Sequence, residues 1–239
     1  MKHPIGRRVF AEFLGTALLV ATVVGSGIMG TLLSDNLGVT LLINTVATVA
    51  ALGVLISILG PISGAHFNPV VTGVEVVRRE MPVVEAVLYV IAQILGALGG
   101  AMLANVMFSL PAVQASTNER TGGPIWLGEI VATAGLLLVI GAITRTGRGN
   151  LGPILVPAWI AAAYFFTSST SFANPAVTIG RSITDTFSGI SPASVPMFIL
   201  FQIIGATIGA LLTEFLWPRR GVAPEPLDLP SAVHHGPKE

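Results

Sequence analysis

Two Asn-Pro pairs carry the most informative chemistry in this chain. Asn68-Pro69 lies within Ala65-His66-Phe67-Asn68-Pro69-Val70-Val71-Thr72, and Asn174-Pro175 within Phe172-Ala173-Asn174-Pro175-Ala176-Val177-Thr178. Asn is a strong helix N-cap, because its side-chain oxygen accepts from backbone N–H groups that have no intrahelical partner. Pro suits the first helical position, where its missing N–H would be unsatisfied anyway. Each pair therefore starts a short helix and leaves the carbonyls before it outside any regular ladder. One such pair alone marks a turn. Two in matching surroundings mark a repeated device.

Two carboxylates recur in the same way. Glu12 opens Ala11-Glu12-Phe13-Leu14-Gly15-Thr16, and Glu129 opens Gly128-Glu129-Ile130-Val131-Ala132-Thr133, both inside apolar runs. A carboxylate at membrane depth is either a transport group, as in proton coupling, or an acceptor for backbone N–H groups that lack partners. No clustered His and carboxylate set and no nucleophile with a base stands out, so the chain is not read as an enzyme, and no cofactor or metal site is expected. Cysteine is absent, which excludes disulfides and thiolate metal ligands. His234 and His235 could bind a metal weakly but are read as an incidental tail pair.

These groups sit among apolar blocks. Hydrophobic residues make up 52% of the 239 positions and charged ones 10%, too few to solvate a water-soluble domain of this size. Six blocks of about 20 residues, the length that crosses about 30 Å of hydrocarbon, run near Val9 to Met29, Val39 to Leu59, Val83 to Phe108, Ile125 to Ile143, Leu151 to Ser169 and Val195 to Trp217. A cleaved signal peptide is the other reading of the first block, but Glu12 interrupts it and it is long for a signal core. Two stretches, Ser63 to Val77 and Ser171 to Ile183, are apolar but too short to span, and each holds one Asn-Pro pair.

The halves repeat, for Gln93-Ile94-Leu95-Gly96-Ala97 is echoed by Gln202-Ile203-Ile204-Gly205-Ala206. Three crossings per half place the repeats in opposite orientation. The expected fold is an all-α membrane protein of six transmembrane helices plus two re-entrant half-helices, as an inverted repeat. One membrane domain spans 1–217, with repeats at about 8–108 and 124–217, and a proline-rich tail at 218–239 is expected to be disordered and cytoplasmic. Gly96 with Gly100, and Gly205 with Gly209, are small-xxx-small pairs for close helix packing. Ten of the twelve Lys and Arg residues fall on the side of the termini and only Arg120 and Arg181 on the other, which sets both termini inside. Zero net charge gives no footprint for nucleic acid.

On the two Asn-Pro boxes, the Ser63-Gly64-Ala65-His66 lead-in and the paired glutamates, the chain resembles the aquaporin and aquaglyceroporin (major intrinsic protein) family over about residues 8–217. The resemblance implies half-helices that enter from opposite faces and meet at the midplane, with one pore per subunit of a homotetramer. The pore boxes are then Asn68, Pro69 and Val70, and Asn174, Pro175 and Ala176; the first reads Asn-Pro-Val where Asn-Pro-Ala is usual. Family likeness assigns Glu12 and Glu129 to loop support. Half-helix N-termini aimed at the membrane centre would disfavour cations there, a hopping proton included. His66 either lines the vestibule of such a pore or satisfies a nearby carbonyl.

One departure bears on selectivity. Most aquaporins carry an Arg directly after the second Asn-Pro-Ala, where this chain has Val177. The other filter places, carried over by their usual spacing from the Asn residues, are Thr48, Ala162 and Ser171. Four small side chains imply a wide constriction. The Asp common in glycerol channels is replaced by Thr178. Arg181, four residues beyond Val177, either restores a cation at the outer mouth or snorkels to the interface. A bacterial subgroup associated with arsenic resistance is similar in having Val in place of that Arg. The implied function is a passive pore for water, glycerol-like polyols and neutral arsenite or methylated arsenicals, in a bacterial inner membrane. A proton-coupled carrier using Glu12 and Glu129 is the other class. With no thiol to attack, solute flux into proteoliposomes should be unchanged by mercurials; inhibition in a swelling assay would contradict this.

Overall fold

The chain breaks into helices where its caps and prolines direct. Asn36 caps the second long helix by accepting from Gly38 and Val39 N–H, and Gly64, at φ 93°, ends it in a left-handed turn that a side chain would strain. Asn68 and Asn174 cap the two short helices, each with Pro at the first position. The computed structural model describes residues 3–218; the tail expectation, with His234 and His235, lies outside them.

In chain order the helices are α1 (Ile5–Leu33), α2 (Leu37–Ser63), α3 (Pro69–Val77), α4 (Val83–Met107), α5 (Gly123–Arg145), α6 (Gly152–Phe166), α7 (Pro175–Arg181) and α8 (Val195–Leu216). Six are long and apolar enough to cross a membrane, α6 together with the short helical turn Gly149–Leu151 that precedes it. The protein is an integral membrane protein. α3 and α7, with 9 and 7 residues, are half-helices. α1 extends about one turn beyond the expected block at each end. α6 stops at Phe166, short of the expected Ser169, because Thr167 turns extended there.

α1 packs along α4 and α2, and α5 packs along α8, so each repeat builds the same pair. Glycines set the spacing of those pairs. A Cβ on Gly96 or Gly100 would come within 2.4 Å of the Phe13 carbonyl oxygen or 2.1 Å of that of Ala17. On Gly205 or Gly209 it would meet the carbonyls of Ile130 at 2.6 Å or Ala134 at 2.3 Å. Backbone contact at these points replaces the hydrophobic effect, which has no purchase between helices in lipid. Arg8 bridges α1 to the start of α4 through Glu85 at 2.8 Å, and Arg145 at the end of α5 pairs with Glu214 near the end of α8. These pairs lie on the face where α1 begins and α8 ends, here called the terminal face.

Gly99, with nothing near its missing Cβ, is an internal control for Gly100. Gly100→Ala should lower the apparent melting temperature of the detergent-solubilised protein, at a cost of roughly 1–3 kcal/mol of overpacking. Gly99→Ala should leave it equal or slightly higher. Equal effects in the two variants would refute the contact.

Candidate functional site

Each re-entrant segment carries backbone that no helix satisfies, at a depth where water is scarce. The chain holds them with two equivalent sets of hydrogen bonds. Glu12 accepts from the N–H groups of His66 at 3.0 Å and Phe67 at 2.7 Å, from the Ser63 hydroxyl at 2.6 Å and from Gln93 Nε2 at 2.8 Å. Glu129 accepts from Phe172 and Ala173 N–H, both at 2.9 Å, and from Gln202 Nε2 at 2.7 Å. The glutamines go on to donate to Thr72 and Thr178, whose hydroxyls donate to the Asn68 and Asn174 carbonyls. Both glutamates are fully buried, and neither lines the cavity.

These bonds offset strain. Ala65 and Phe67 have φ of 51° and 48°, and their counterparts Ser171 and Ala173 have 54° and 48°. Non-glycine residues in that region cost about 1–3 kcal/mol each. A hydrogen bond to a charged group contributes about 1.5–3 kcal/mol, so a carboxylate behind each loop is matched to the task. The local conformation holds Gly64 through Phe67 and Ser171 through Ala173 along the cavity.

The half-helices meet through their capping residues. Asn68 Nδ2 donates to the Ala173 carbonyl at 2.8 Å, and Asn174 Nδ2 donates to the Phe67 carbonyl at 2.7 Å. Their Oδ1 atoms accept from Val70 N–H, and from Ala176 and Val177 N–H. Each amide nitrogen has a second hydrogen, and both Asn residues line the cavity.

That cavity has a volume of about 340 Å³ and runs from Thr144 and Gly149 near the terminal face, past Asn68 and Asn174, to Tyr164 and Arg181. One wall is the backbone of the re-entrant segments. Leu19, Leu52, Leu136, Ile140 and Val156 make the facing wall apolar. A solute inside therefore meets polar groups along the re-entrant segments and, on the facing helices, a largely apolar surface broken by Thr48, Thr144 and Tyr164.

The structure brings most of the sequence-identified residues together. Thr48, His66, Asn68, Ser171, Asn174, Val177 and Arg181 line the cavity. Pro69 and Pro175 start their helices, and Val70 and Ala176 are buried beside them rather than on the cavity. His66 Nδ1 is 3.1 Å from the Thr72 hydroxyl, and its ring packs edge-on against Tyr89.

Ala162 is a correction. It is exposed on the outside of α6 and does not reach the cavity, which Ile160 and Tyr164 line instead. At 100° per residue, 160 and 164 share a stripe and 162 points about 200° away from both. The expectation of a bare, wholly non-aromatic wall fails with it, since the Tyr164 and Phe172 rings are present. Tyr164 had a signal in the sequence: it is one of only two tyrosines, placed inside an apolar block.

For Arg181 the sequence leaves two alternatives, an outer-mouth cation or a snorkelling side chain. Snorkelling does not describe it, because it is 3% exposed and turned inward. Its Nε donates to the Ser188 carbonyl, and its guanidinium carbon lies 3.4 Å from the Phe172 ring centroid. Arg181 stands seven residues after Asn174, and Glu75 stands seven after Asn68; both line the cavity. Related places in the two repeats thus carry opposite charges.

Six crossing helices closed around two opposed half-helices and a cavity lined from both of them define an inverted-repeat membrane channel. The chain belongs to the major intrinsic protein family, whose family model matches residues 1–172. It is a channel protein and not an enzyme. Aquaglyceroporin AqpS of Rhizobium meliloti (strain 1021) is 49% identical over 217 residues, covering 90% of this chain and 93% of that protein. Aquaporin-5 of Rattus norvegicus is 30% identical over 223 residues, covering 88% and 80%. Among solved structures, the aquaglyceroporin from Plasmodium falciparum superposes with a TM-score of 0.68 at 19% identity, covering 90% of this chain and 97% of that one, a likeness of fold.

Glu129→Ala would strand the Phe172 and Ala173 N–H groups, at about 1–3 kcal/mol for each buried donor left unpaired. A clear fall in the thermal midpoint is expected, with a smaller one for Glu129→Gln, which keeps one acceptor oxygen. Intrinsic fluorescence melting checks this; an unchanged midpoint in the alanine variant would remove the support role.

Proposed function

We propose that the chain is a passive pore for small uncharged solutes: water, glycerol-sized polyols, and neutral arsenite or methylated arsenicals. The observation that carries the reading is the cavity lined by both Asn68 and Asn174, polar along the re-entrant segments and largely apolar on the facing helices. A neutral polyhydroxy molecule can exchange its hydration for the backbone acceptors while its carbon or arsenic side meets the leucine wall. At neutral pH arsenite is such a molecule. The name aquaglyceroporin, borne by the relative at 49% identity, agrees with a pore for polyols.

The constriction is assigned to the outer half, to Thr48, Ser171 and Val177 with Tyr164. Thr48 Oγ1 and Ser171 Oγ are buried polar atoms without a protein partner, at the cavity wall. A buried hydroxyl left unpaired is costly, so these two side chains mark a stretch of the wall that keeps polar groups without protein partners. Val177 stands directly after Asn-Pro-Ala and adds bulk without charge. The similarity to the arsenic-associated subgroup rests on this valine and supports arsenicals among the substrates. His66 belongs to the inner vestibule.

The assembly is assigned as a homotetramer in a bacterial inner membrane, with both termini cytoplasmic. Arg8, Arg78 and Arg145 on the terminal face support that orientation through the positive-inside rule. A proton-coupled carrier finds no support in the glutamates. Both carboxylates are buried, lie off the cavity and are engaged by the loop N–H groups and a glutamine, so neither faces a solute path.

Stopped-flow swelling of proteoliposomes with glycerol and with arsenite tests the reading. Permeability above empty vesicles, without accumulation under a pH gradient, is expected; permeability equal to empty vesicles would sink it. Val177→Arg should reduce glycerol and arsenite flux much more than water flux, since a guanidinium there narrows the outer cavity. An equal reduction of all three would overturn the filter assignment.

A further inference from the structure

We propose that Arg181 is the specificity-determining cation of the outer constriction, supplying from one turn further along α7 the positive charge that Val177 does not provide. This inference rests on the pore reading above. Four observations carry it.

First, Arg181 lines the cavity although it is buried, so its charge faces the solute path and not the bulk phase. Second, only its Nε meets a protein acceptor, the Ser188 carbonyl. The terminal nitrogens of the guanidinium keep their donors for an oxygen in the cavity, and a planar fork of donors suits hydroxyl oxygens.

Third, the side chain is fixed on both sides. Its guanidinium stacks on Phe172, whose ring also carries Arg120 at 5.2 Å. Arg120 is held in turn by the carbonyls of Gly189 and Phe187. The Ser188 hydroxyl donates to the Val23 carbonyl of α1 at 2.8 Å, which anchors the acceptor itself. An arginine that merely reached for water would need none of this.

Fourth, the place is singled out by the repeat. At the corresponding position the first half has Glu75, so the cationic side chain is a property of one mouth and not of the shared scaffold. A fixed guanidinium in a narrow, low-dielectric path repels cations strongly. It also gives a neutral solute a hydrogen-bond donor on the cavity wall. The pore thereby keeps cation exclusion while Val177 leaves the adjoining turn without charge.

The test uses the full chain in proteoliposomes, comparing wild type with Arg181→Gln, Arg181→Lys, and Arg181→Gln combined with Val177→Arg. Glycerol swelling reports the pore, and sodium-driven collapse of a pyranine-monitored proton gradient reports leak. In Arg181→Gln, leak should rise at least tenfold above wild type, while glycerol flux, changed or not, stays above that of empty vesicles and so shows the pore is still open. Arg181→Lys should keep leak near the wild-type level, and Val177→Arg should restore exclusion to the glutamine variant. Monodisperse elution confirms folding; should Arg181→Gln aggregate, Phe172→Leu, which removes the stacking surface and keeps the charge, is expected to raise leak to a smaller extent. Leak at the wild-type level in the folded variant overturns the proposal, as does a wild type that already conducts cations. No glycerol flux in wild type overturns the pore reading itself and is distinguished by that first measurement.

Discussion

Two crossed hydrogen bonds, from Asn68 to the Ala173 carbonyl and from Asn174 to the Phe67 carbonyl, are the joint on which this molecule depends. A bilayer forbids unsatisfied backbone, so two broken segments can coexist at its centre only if each supplies what the other lacks. The asparagines do this while also capping their own half-helices. One side chain therefore fixes a helix start, a contact between repeats and a point on the cavity wall.

Everything behind the joint serves to hold it. Glu12 and Glu129 gather the N–H groups of the left-handed loop residues, and the glutamines tie those carboxylates to the half-helices. The glycines of α4 and α8 bring the glutamate-bearing helices to backbone contact, which places each carboxylate within reach of its loop. Packing, strain and polar satisfaction are thus one linked arrangement, present twice. Loosening a glycine contact and removing a carboxylate disturb the same loop from different ends.

The two copies differ where they face solute. His66 and Phe172 occupy matching places two residues before the asparagines, and Glu75 and Arg181 matching places seven residues after them. The duplicated backbone fixes where a passing molecule meets carbonyls. The unlike side chains make one mouth different from the other. Cavity-lining side chains can therefore differ between the repeats without touching the joint.

The sequence determined the six crossings, the two half-helices and the inverted repeat, because hydrocarbon thickness and capping chemistry are written in local residue order. It also pointed to Glu12 and Glu129, since a charge inside an apolar block needs partners wherever the chain goes. The inward-facing set along α6 was decided only by the folded chain. Spacing counted from Asn174 pointed to Ala162, but where α6 stops and how it is rotated against α2 and α5 depend on packing, and these turn Tyr164 inward. Arg181 shows the same division: its place in the chain was plain, but whether a long cation reaches for water or folds onto Phe172 depends on acceptors from Ser188 and a loop anchored to α1, contacts between residues far apart in sequence.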